Sequence, residues 1–336
     1  MTCPKMTYVA LPGEEPRAAT FYLAAEEYIA RHADVGEAFL TWQVGPTVVF
    51  GRNQAVRREV DLDYCRREAI GVCRRKSGGG CIYADRGNVM FSHIGRGENV
   101  AELFARYLDR TVGLLRALGV RAEATGRNDI TVDGRKVSGA AFYQLPGHSV
   151  VHGTMLYDTD MRHMTRALTP PDCKLQAKGV ESVRQRIALL KDYLDVTLAT
   201  FVAQARDHLC ADTLTLTPAD VAAIRRIEAT YRDPAFVFGA DPAYSLARSR
   251  RVEGCGTVEI RVDVRHGRIR DVALGGDFFG LADPASLLAA LRDVPFTPAA
   301  VRAVLVPLQP ERYVRHLAAD DLVALLFDNE QSSADN

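Results

Sequence analysis

The chain lacks most of what would tie it to a membrane, an oxidising compartment or a nucleic-acid lattice. No apolar run in its 336 residues reaches the roughly 18–20 that a membrane-crossing helix needs. The opening residues, MTCPKMTYVALPGEEPRAATFY, have neither the basic start nor the apolar core of a secretory signal. The seven cysteines (Cys3, Cys65, Cys73, Cys81, Cys173, Cys210, Cys255) are odd in number, scattered, and form no C-x-x-C. That gives no zinc knuckle and no disulfide framework. A reduced, cytoplasmic chain is expected. An excess of charge is missing too: 42 Lys and Arg balance 42 Asp and Glu. Non-specific coating of nucleic acid is thereby disfavoured, although local basic sites stay possible. There is no internal repeat.

What is present suits a packed protein. Hydrophobic residues make up 47% and charged residues 25%, enough apolar surface to bury a core. The length fits one large domain or two ordinary ones. Residues 20–33, TFYLAAEEYIARHA, carry apolar side chains at helical spacing. AFLTWQVGPTVVFG (38–51) reads as two β runs split by a hairpin or tight turn at Gly45-Pro46. Asp61 is a candidate N-cap for a helix ending before Gly71, and Gly119 stops the strong amphipathic helix of residues 99–119. Asp133-Gly134 signals a hairpin. Strands and helices alternate irregularly, so the expected class is α+β, with a mixed, mostly antiparallel sheet flanked by helices. A small α+β domain follows, with turns at His266-Gly267 and Gly275-Gly276 and three helix-like segments. The expected division is 1–244 and 245–336, bridged by TPADVAAIRRIEATYRD (217–233).

The stretch RRKSGGGCIYADRGNVMFSH (74–93) carries the strongest chemical signal. Three consecutive glycines are costly in any regular element, because glycine loses the most backbone freedom on folding. Bare main chain lets N–H groups converge on an anion, and Arg74, Arg75 and Lys76 add positive charge. The combination suits a phosphate or a carboxyl-phosphate anhydride. It matches neither G-x-x-x-x-G-K-[ST] nor a strand-linked G-x-G-x-x-G. A flexible surface turn is the competing reading.

Further stretches join it: GRNDITVDGRKVSG (126–139) and VVHGTMLYDTDM (150–161). Together the three segments resemble the lipoate–protein ligase A family, whose pattern runs R-R-x-S-G-G-G, G-R-N-D, K-x-S-G, H-G-T in this order. KLQAKGVESVRQRI (174–187) resembles the family's next motif, and FVFGADPAYS (236–245) the opening of its accessory C-terminal domain.

The resemblance implies a biotin/lipoate ligase-like catalytic domain that binds lipoate and the adenylate, plus that accessory domain. It implies that lipoate is activated by ATP and Mg2+ to lipoyl-AMP and passed to a lysine of an acceptor. The implied acceptors are lipoyl domains of 2-oxoacid dehydrogenase subunits and the glycine-cleavage H protein. No nucleic-acid or membrane partner is implied, and a monomer is expected. Residue by residue, Arg75, Gly80, Cys81, Ile82 and Tyr83 match positions lining the nucleotide and acyl-adenylate. Lys136 matches the catalytic lysine that contacts both lipoate and phosphate; a snorkelling surface lysine is the bland alternative. Gly78 and Gly79 would let the loop curl over the adenylate, and Ser77 would cap or order it. Asn128 and Asp129 would hold Mg2+ or the ribose, with Asp129 as the metal ligand; the alternative pairs Asp129 with Arg127 or Arg75. His152 would orient the substrate carbonyl, or be a structural histidine bonded to backbone.

Three positions depart from the family pattern. Ala84 stands where a histidine is common, Val151 precedes His152 where a second histidine is common, and no tryptophan lies near Tyr231. Two rival functions fit parts of the pattern. One is an octanoyltransferase working through a thioester on Cys81 or Cys173. The other is a non-catalytic lipoate-binding module. A biotin ligase fits less well, for want of a G-R-G-R-x-G-type loop.

Overall fold

The computed structural model describes residues 5–13, 17–97, 99–125, 128–168, 186–239 and 246–327. The chain divides into two compact units. One comprises 1–52, 56–77 and 81–239; the other comprises 53–55, 78–80 and 240–336.

In chain order the first unit begins with β1 (Met6–Ala10), α1 (Ala19–His32), β2 (Glu37–Trp42), β3 (Thr47–Phe50), α2 (Val56–Glu59), α3 (Leu62–Arg67), β4 (Gly71–Arg74) and β5 (Ile82–Ala84). It continues through β6 (Asn88–Arg96), α4 (Val100–Ala117), β7 (Ala122–Ala124), β8 (Asp129–Val132), β9 (Arg135–Leu145), β10 (His148–Leu156) and α5 (Met161–Ala167). It closes with α6 (Leu198–Leu209), β11 (Cys210–Thr215), α7 (Pro218–Arg232) and α8 (Pro234–Phe238). Eight strands form one sheet in the order β11-β1-β2-β6-β10-β9-β8-β7. Only the β11-β1 and β1-β2 pairs are parallel; the other five are antiparallel. The mixed, mostly antiparallel sheet is therefore as expected.

Local signals set most element ends. Asp61 accepts from the Tyr64 N–H at 2.8 Å, capping α3, and Asn99 accepts from the Glu102 N–H at 3.3 Å, capping α4. Gly119, φ +87°, leaves α4 in the left-handed conformation that glycine tolerates. Asp133 and Gly134 both take positive φ in a two-residue loop that pairs Val132 with Arg135. Gly45-Pro46 does not make a hairpin. β2 joins the large sheet, whereas β3 is the centre of a separate three-stranded sheet, β4-β3-β5.

Helix α7 begins at a capping box between Thr217 and Asp220, with Pro218 in its first turn. It belongs to the first unit rather than bridging the two. It lies along α1, where Thr20 donates to Glu228 at 2.7 Å and Tyr28 donates to Asp220. α1 and α7 cover one face of the large sheet through Phe21, Leu23, Ile29, Leu40, Ile224 and Tyr231. Each fully buried side chain of this kind contributes roughly 1.5–3 kcal/mol relative to exposure. α4 covers the opposite face, where Phe104 meets Phe142 edge to face. Among the described residues no helix is long and apolar enough to cross a membrane.

At the start of β2, Glu37 bonds Arg106 and Arg110 of α4 and lies 3.0 Å from His93 of β6. Burial alone would raise its pKa, but hydrogen bonds from His93 and Arg110 and the positive charge lower it from 4.5 to about 2. A depressed carboxylate contributes stability above its unfolded pKa and loses it as pH falls through the folded one. The cluster is expected to add at most about 3 kcal/mol at neutral pH and to lose it between pH 4.5 and 2. Thermal unfolding checks this: the gap between wild type and Glu37→Gln should close as the buffer is acidified. A constant gap would refute the assignment.

The second unit is an antiparallel sheet of β12 (Leu246–Val252), β13 (Gly256–Arg265) and β14 (Arg268–Gly276). It is backed by α9 (Ala285–Ala290), α10 (Pro298–Leu308) and α11 (Ala319–Phe327). Val258, Ile260, Val262, Leu287, Val301 and Leu322 centre its own core. His266-Gly267 turns the β13–β14 hairpin with both φ values positive. Gly275-Gly276 is not the expected turn; both residues lie in β14, which Gly276 ends. A Cβ on Gly276 would come within 2.1 Å of the Thr257 carbonyl, so glycine serves close approach there.

Candidate active site

The glycine-rich segment connects β4 to β5 across the central strand β3. Its start is tied down: the Arg75 N–H donates to the Phe50 carbonyl at 3.0 Å, and the Arg52 N–H donates to the Ser77 carbonyl at 2.9 Å. A free surface turn does not describe it. Gly79 has φ +83°, which a side chain would oppose, whereas a Cβ on Gly80 would find no described atom within 4 Å.

The basic cluster before the glycines is consumed largely by the scaffold. Arg74 donates to the carbonyls of Gly51, Arg52, Phe236 and Val237, and its guanidinium lies over the Phe50 ring. Arg75 is buried; its Nη1 donates to the Val49 carbonyl at 2.9 Å and its Nε to Ser77 Oγ at 2.9 Å. Burial lowers its pKa to about 10, which still leaves it charged. Lys76 pairs with Glu27 at 2.6 Å and sits over Tyr231. These cations hold the segment in place before they could hold anything else.

Ser77 is fully buried and lies 2.7 Å from His152 Nε2. His152 Nδ1 in turn lies 2.8 Å from Glu26 Oε2. The histidine is thus held by two side chains, not by backbone. Glu26 on α1 lies outside every sequence motif. Its signal was two adjacent carboxylates, Glu26 and Glu27, inside the apolar stripe of an amphipathic helix.

Lys136 stands on β9, and its Nζ pairs with Asp129 of β8 at 2.7 Å. Asp129 therefore pairs with Lys136, not with Arg75; Arg127 lies outside the described residues. The Lys136 side chain keeps 36% of its surface exposed, so its ammonium is within reach of a ligand. The motif glycine three residues on has a steric reason: a Cβ at Gly139 would lie 2.6 Å from Lys136 Nζ. Gly139 pairs with Thr154 across the β9–β10 ladder, and Thr154 is two residues from His152. Alternation puts Lys136's neighbour Gly139, Thr154 and His152 on one face, with His152 about 7 Å along the strand from Thr154. Gly153 faces the other way, where a Cβ would strike the Tyr107 hydroxyl at 2.3 Å.

Other expected ligands are engaged in the fold. Asn128 pairs with Ala140 through both main chain and side chain, extending the ladder. Tyr83 is buried in the core of the small sheet beside Val48 and Phe50, and burial raises its hydroxyl pKa. Ile82 projects to the opposite face toward Val49, and Cys81 is half-buried. Residues 174–185 of the fourth motif lie outside the described residues, as do Cys173 and 240–245 of the fifth. The fourth motif's last residue, Ile187, pairs alongside Lys136, and the Ala188 N–H donates to the Lys136 carbonyl at 2.9 Å. Among the described residues no three His, Cys, Asp or Glu side chains gather as a metal site.

The site thus offers an accessible ammonium and a buried carboxylate–histidine–hydroxyl chain on one sheet face. Comparison with known proteins gives the arrangement a family. Residues 18–210 match the lipoyl protein ligase A/B catalytic domain, and 241–326 match the bacterial lipoate protein ligase C-terminus. The chain is 31% identical to lipoate-protein ligase LplJ of Bacillus subtilis, over 91% of this chain and 96% of that one. It is similar to a bi-partite lipoate protein ligase from Thermoplasma acidophilum, studied with its E2 lipoyl domain. That likeness has a TM-score of 0.64 at 25% identity and covers 72% of this chain and 99% of that chain. A lipoate-protein ligase A bound with ATP gives a TM-score of 0.60 at 25% identity, covering 70% and 99%. The catalytic match spans Ser77, Asp129, Lys136 and His152 and the strands around them, and the chain belongs to the lipoyl protein ligase A/B family.

Proposed function

We propose that the chain is an ATP-dependent lipoate–protein ligase. In the first step a lipoate carboxylate oxygen attacks the α-phosphorus of ATP; the bond to the β-phosphate oxygen breaks and pyrophosphate leaves. In the second, an acceptor lysine amine attacks the acyl carbonyl of lipoyl-AMP; the carbonyl–O bond breaks, AMP leaves, and the amine gives up a proton. Both steps spread negative charge over phosphate and carbonyl oxygens. A fixed cation aimed at that charge is the largest contribution a protein can make.

The observation that carries this reading is the placement of Lys136. Asp129 and the absent side chain at Gly139 hold its ammonium on the exposed part of the sheet face. Ser77 sets the start of the glycine main chain, whose missing side chains would let it approach the phosphates closely. Ile82 would line the pocket from β5. Arg75 and Tyr83 act from behind, as supports, since their side chains are buried.

Asp129 also fits Mg2+ of the kind that accompanies a triphosphate. Such an ion takes one or two protein carboxylates and completes its shell with water and phosphate oxygens. Asp129 supplies one carboxylate that is about one-third exposed. When bound, the ion would neutralise phosphate charge. An E2 lipoyl domain goes with the archaeal relative, which supports lipoyl domains as acceptors; those of 2-oxoacid dehydrogenases and the H protein are the ones we propose.

The test is mass spectrometry of a purified lipoyl domain incubated with this chain, ATP, Mg2+ and free lipoic acid. The acceptor should gain one lipoyl amide, with pyrophosphate released. An unmodified acceptor and no pyrophosphate would refute the reading. Modification that depended on Cys81 would favour the acyltransferase instead.

A further inference from the structure

We infer that Glu26 is a positioning residue of the candidate active site, acting through His152 on Ser77. Its kinetic consequence rests on the ligase reading; its structural basis does not. A buried chain of hydrogen bonds fixes where each proton lies. At one end stands Trp42, the only tryptophan in the sequence, whose Nε1–H donates to Ser92 Oγ at 2.9 Å. At the other end Arg75 Nε–H donates to Ser77 Oγ at 2.9 Å. Indole and guanidinium nitrogens can only donate. Each serine therefore accepts from its donor and has one proton left to give.

Ser92 gives its proton to Glu26 Oε1, 2.5 Å away. Ser77 gives its proton to His152 Nε2, 2.7 Å away. An imidazole that accepts at Nε2 carries its proton on Nδ1, and Nδ1 lies 2.8 Å from Glu26 Oε2. The carboxylate is thus acceptor to both neighbours, and every bond in the chain has one direction. Register supports this from the main chain: His152 and Ser92 are directly paired on β10 and β6, so both reach the same α1 side chain. Glu26 has no exposed surface, and Ser77 and Ser92 have none either.

A buried carboxylate that served only to pack α1 would be poorly chosen, since an apolar residue there would be cheaper to desolvate. What the carboxylate uniquely does is hold His152 in the Nδ1–H tautomer. That tautomer keeps the Ser77 hydroxyl, and the entry to the glycine segment, in one orientation. Without it the ring can flip its proton to Nε2, and Ser77 must turn its own proton elsewhere.

Two measurements test this. Long-range 1H–15N spectra of the histidine-labelled wild type, with His152 assigned by His152→Gln, should show a neutral ring protonated at Nδ1. A ring protonated at Nε2, or at both nitrogens, overturns the inference; this arm needs no activity and no change at Glu26. Kinetically, Glu26→Gln should lower kcat for pyrophosphate release roughly ten- to a hundredfold, by analogy with the cost of losing a partner that orients a metal-bound histidine. KM for ATP and lipoate should stay within about threefold of wild type, as expected for an interaction felt in the transition state. The Glu26→Gln/His152→Gln double variant should be no slower than His152→Gln alone. An unchanged kcat, or losses that add in full, overturns it. A wild type that releases no pyrophosphate sinks the ligase reading and leaves the tautomer assignment to stand or fall on the spectra.

Discussion

Lys136→Ala is expected to lower lipoyl-AMP formation by at least ~10²–10³, the usual cost of removing one charge-stabilising group at a reacting centre. The fold should survive. The Lys136 side chain is about one-third exposed, and its pair with Asp129 is of the near-surface kind that contributes about 0–1 kcal/mol. Its main chain remains paired with Thr131 and Ile187 whatever the side chain. Quantifying lipoyl-AMP and pyrophosphate alongside a melting curve separates the two effects. Wild-type turnover would remove Lys136 from the mechanism. A melting point lowered by well over 10 °C would mean that the lysine is structural, since about 1 kcal/mol moves a domain of this size by only about 2–4 °C.

The second large effect is expected at a residue with no functional group. Gly139→Ala puts a methyl 2.6 Å from Lys136 Nζ and 2.7 Å from its Cε, with Asp129 Oδ1 at 3.4 Å. The strand φ at Gly139 is ordinary, so the backbone can accept alanine. The obstacle is the tip of a flexible side chain, and the clash is relieved by swinging the ammonium away. Stability should change by less than about 1 kcal/mol, because alanine also loses less chain entropy on folding. Adenylate formation should fall at least tenfold, because the cation is no longer where charge develops. The diagnostic is non-additivity: Gly139→Ala in a Lys136→Ala background should cost nothing more. A further loss there would show that the methyl obstructs the ligand itself, not the lysine.

Several features were readable from local pattern. The capped start of α3, the glycine end of α4, the Asp133-Gly134 loop and the three helices of the second unit depend on neighbours a few residues apart. Other features depend on partners far along the chain. β1 and β11 were not anticipated, because a short strand flanked by parallel partners has no adjacent hairpin to announce it. Gly45-Pro46 looked like a hairpin because a turn signal does not say whether the two strands it separates share a sheet.

The same distinction runs through the site. The basic glycine stretch pointed by itself to the chemistry of an acyl phosphate, and the resemblance of short motifs, which lie on single strands and turns, to the family pattern pointed to Lys136, Ser77 and His152. Only the tertiary structure decided which atoms those residues touch. It paired Asp129 with Lys136 through a β-bulge, and spent the charges of Arg74, Arg75 and Lys76 on carbonyls, a hydroxyl and Glu27. It also brought Glu26 against His152 across 126 residues of chain. Hydrogen-bond partners follow from strand register and from the packing of helix on sheet. Both are minima of the whole chain's free energy, which no short window of residues contains.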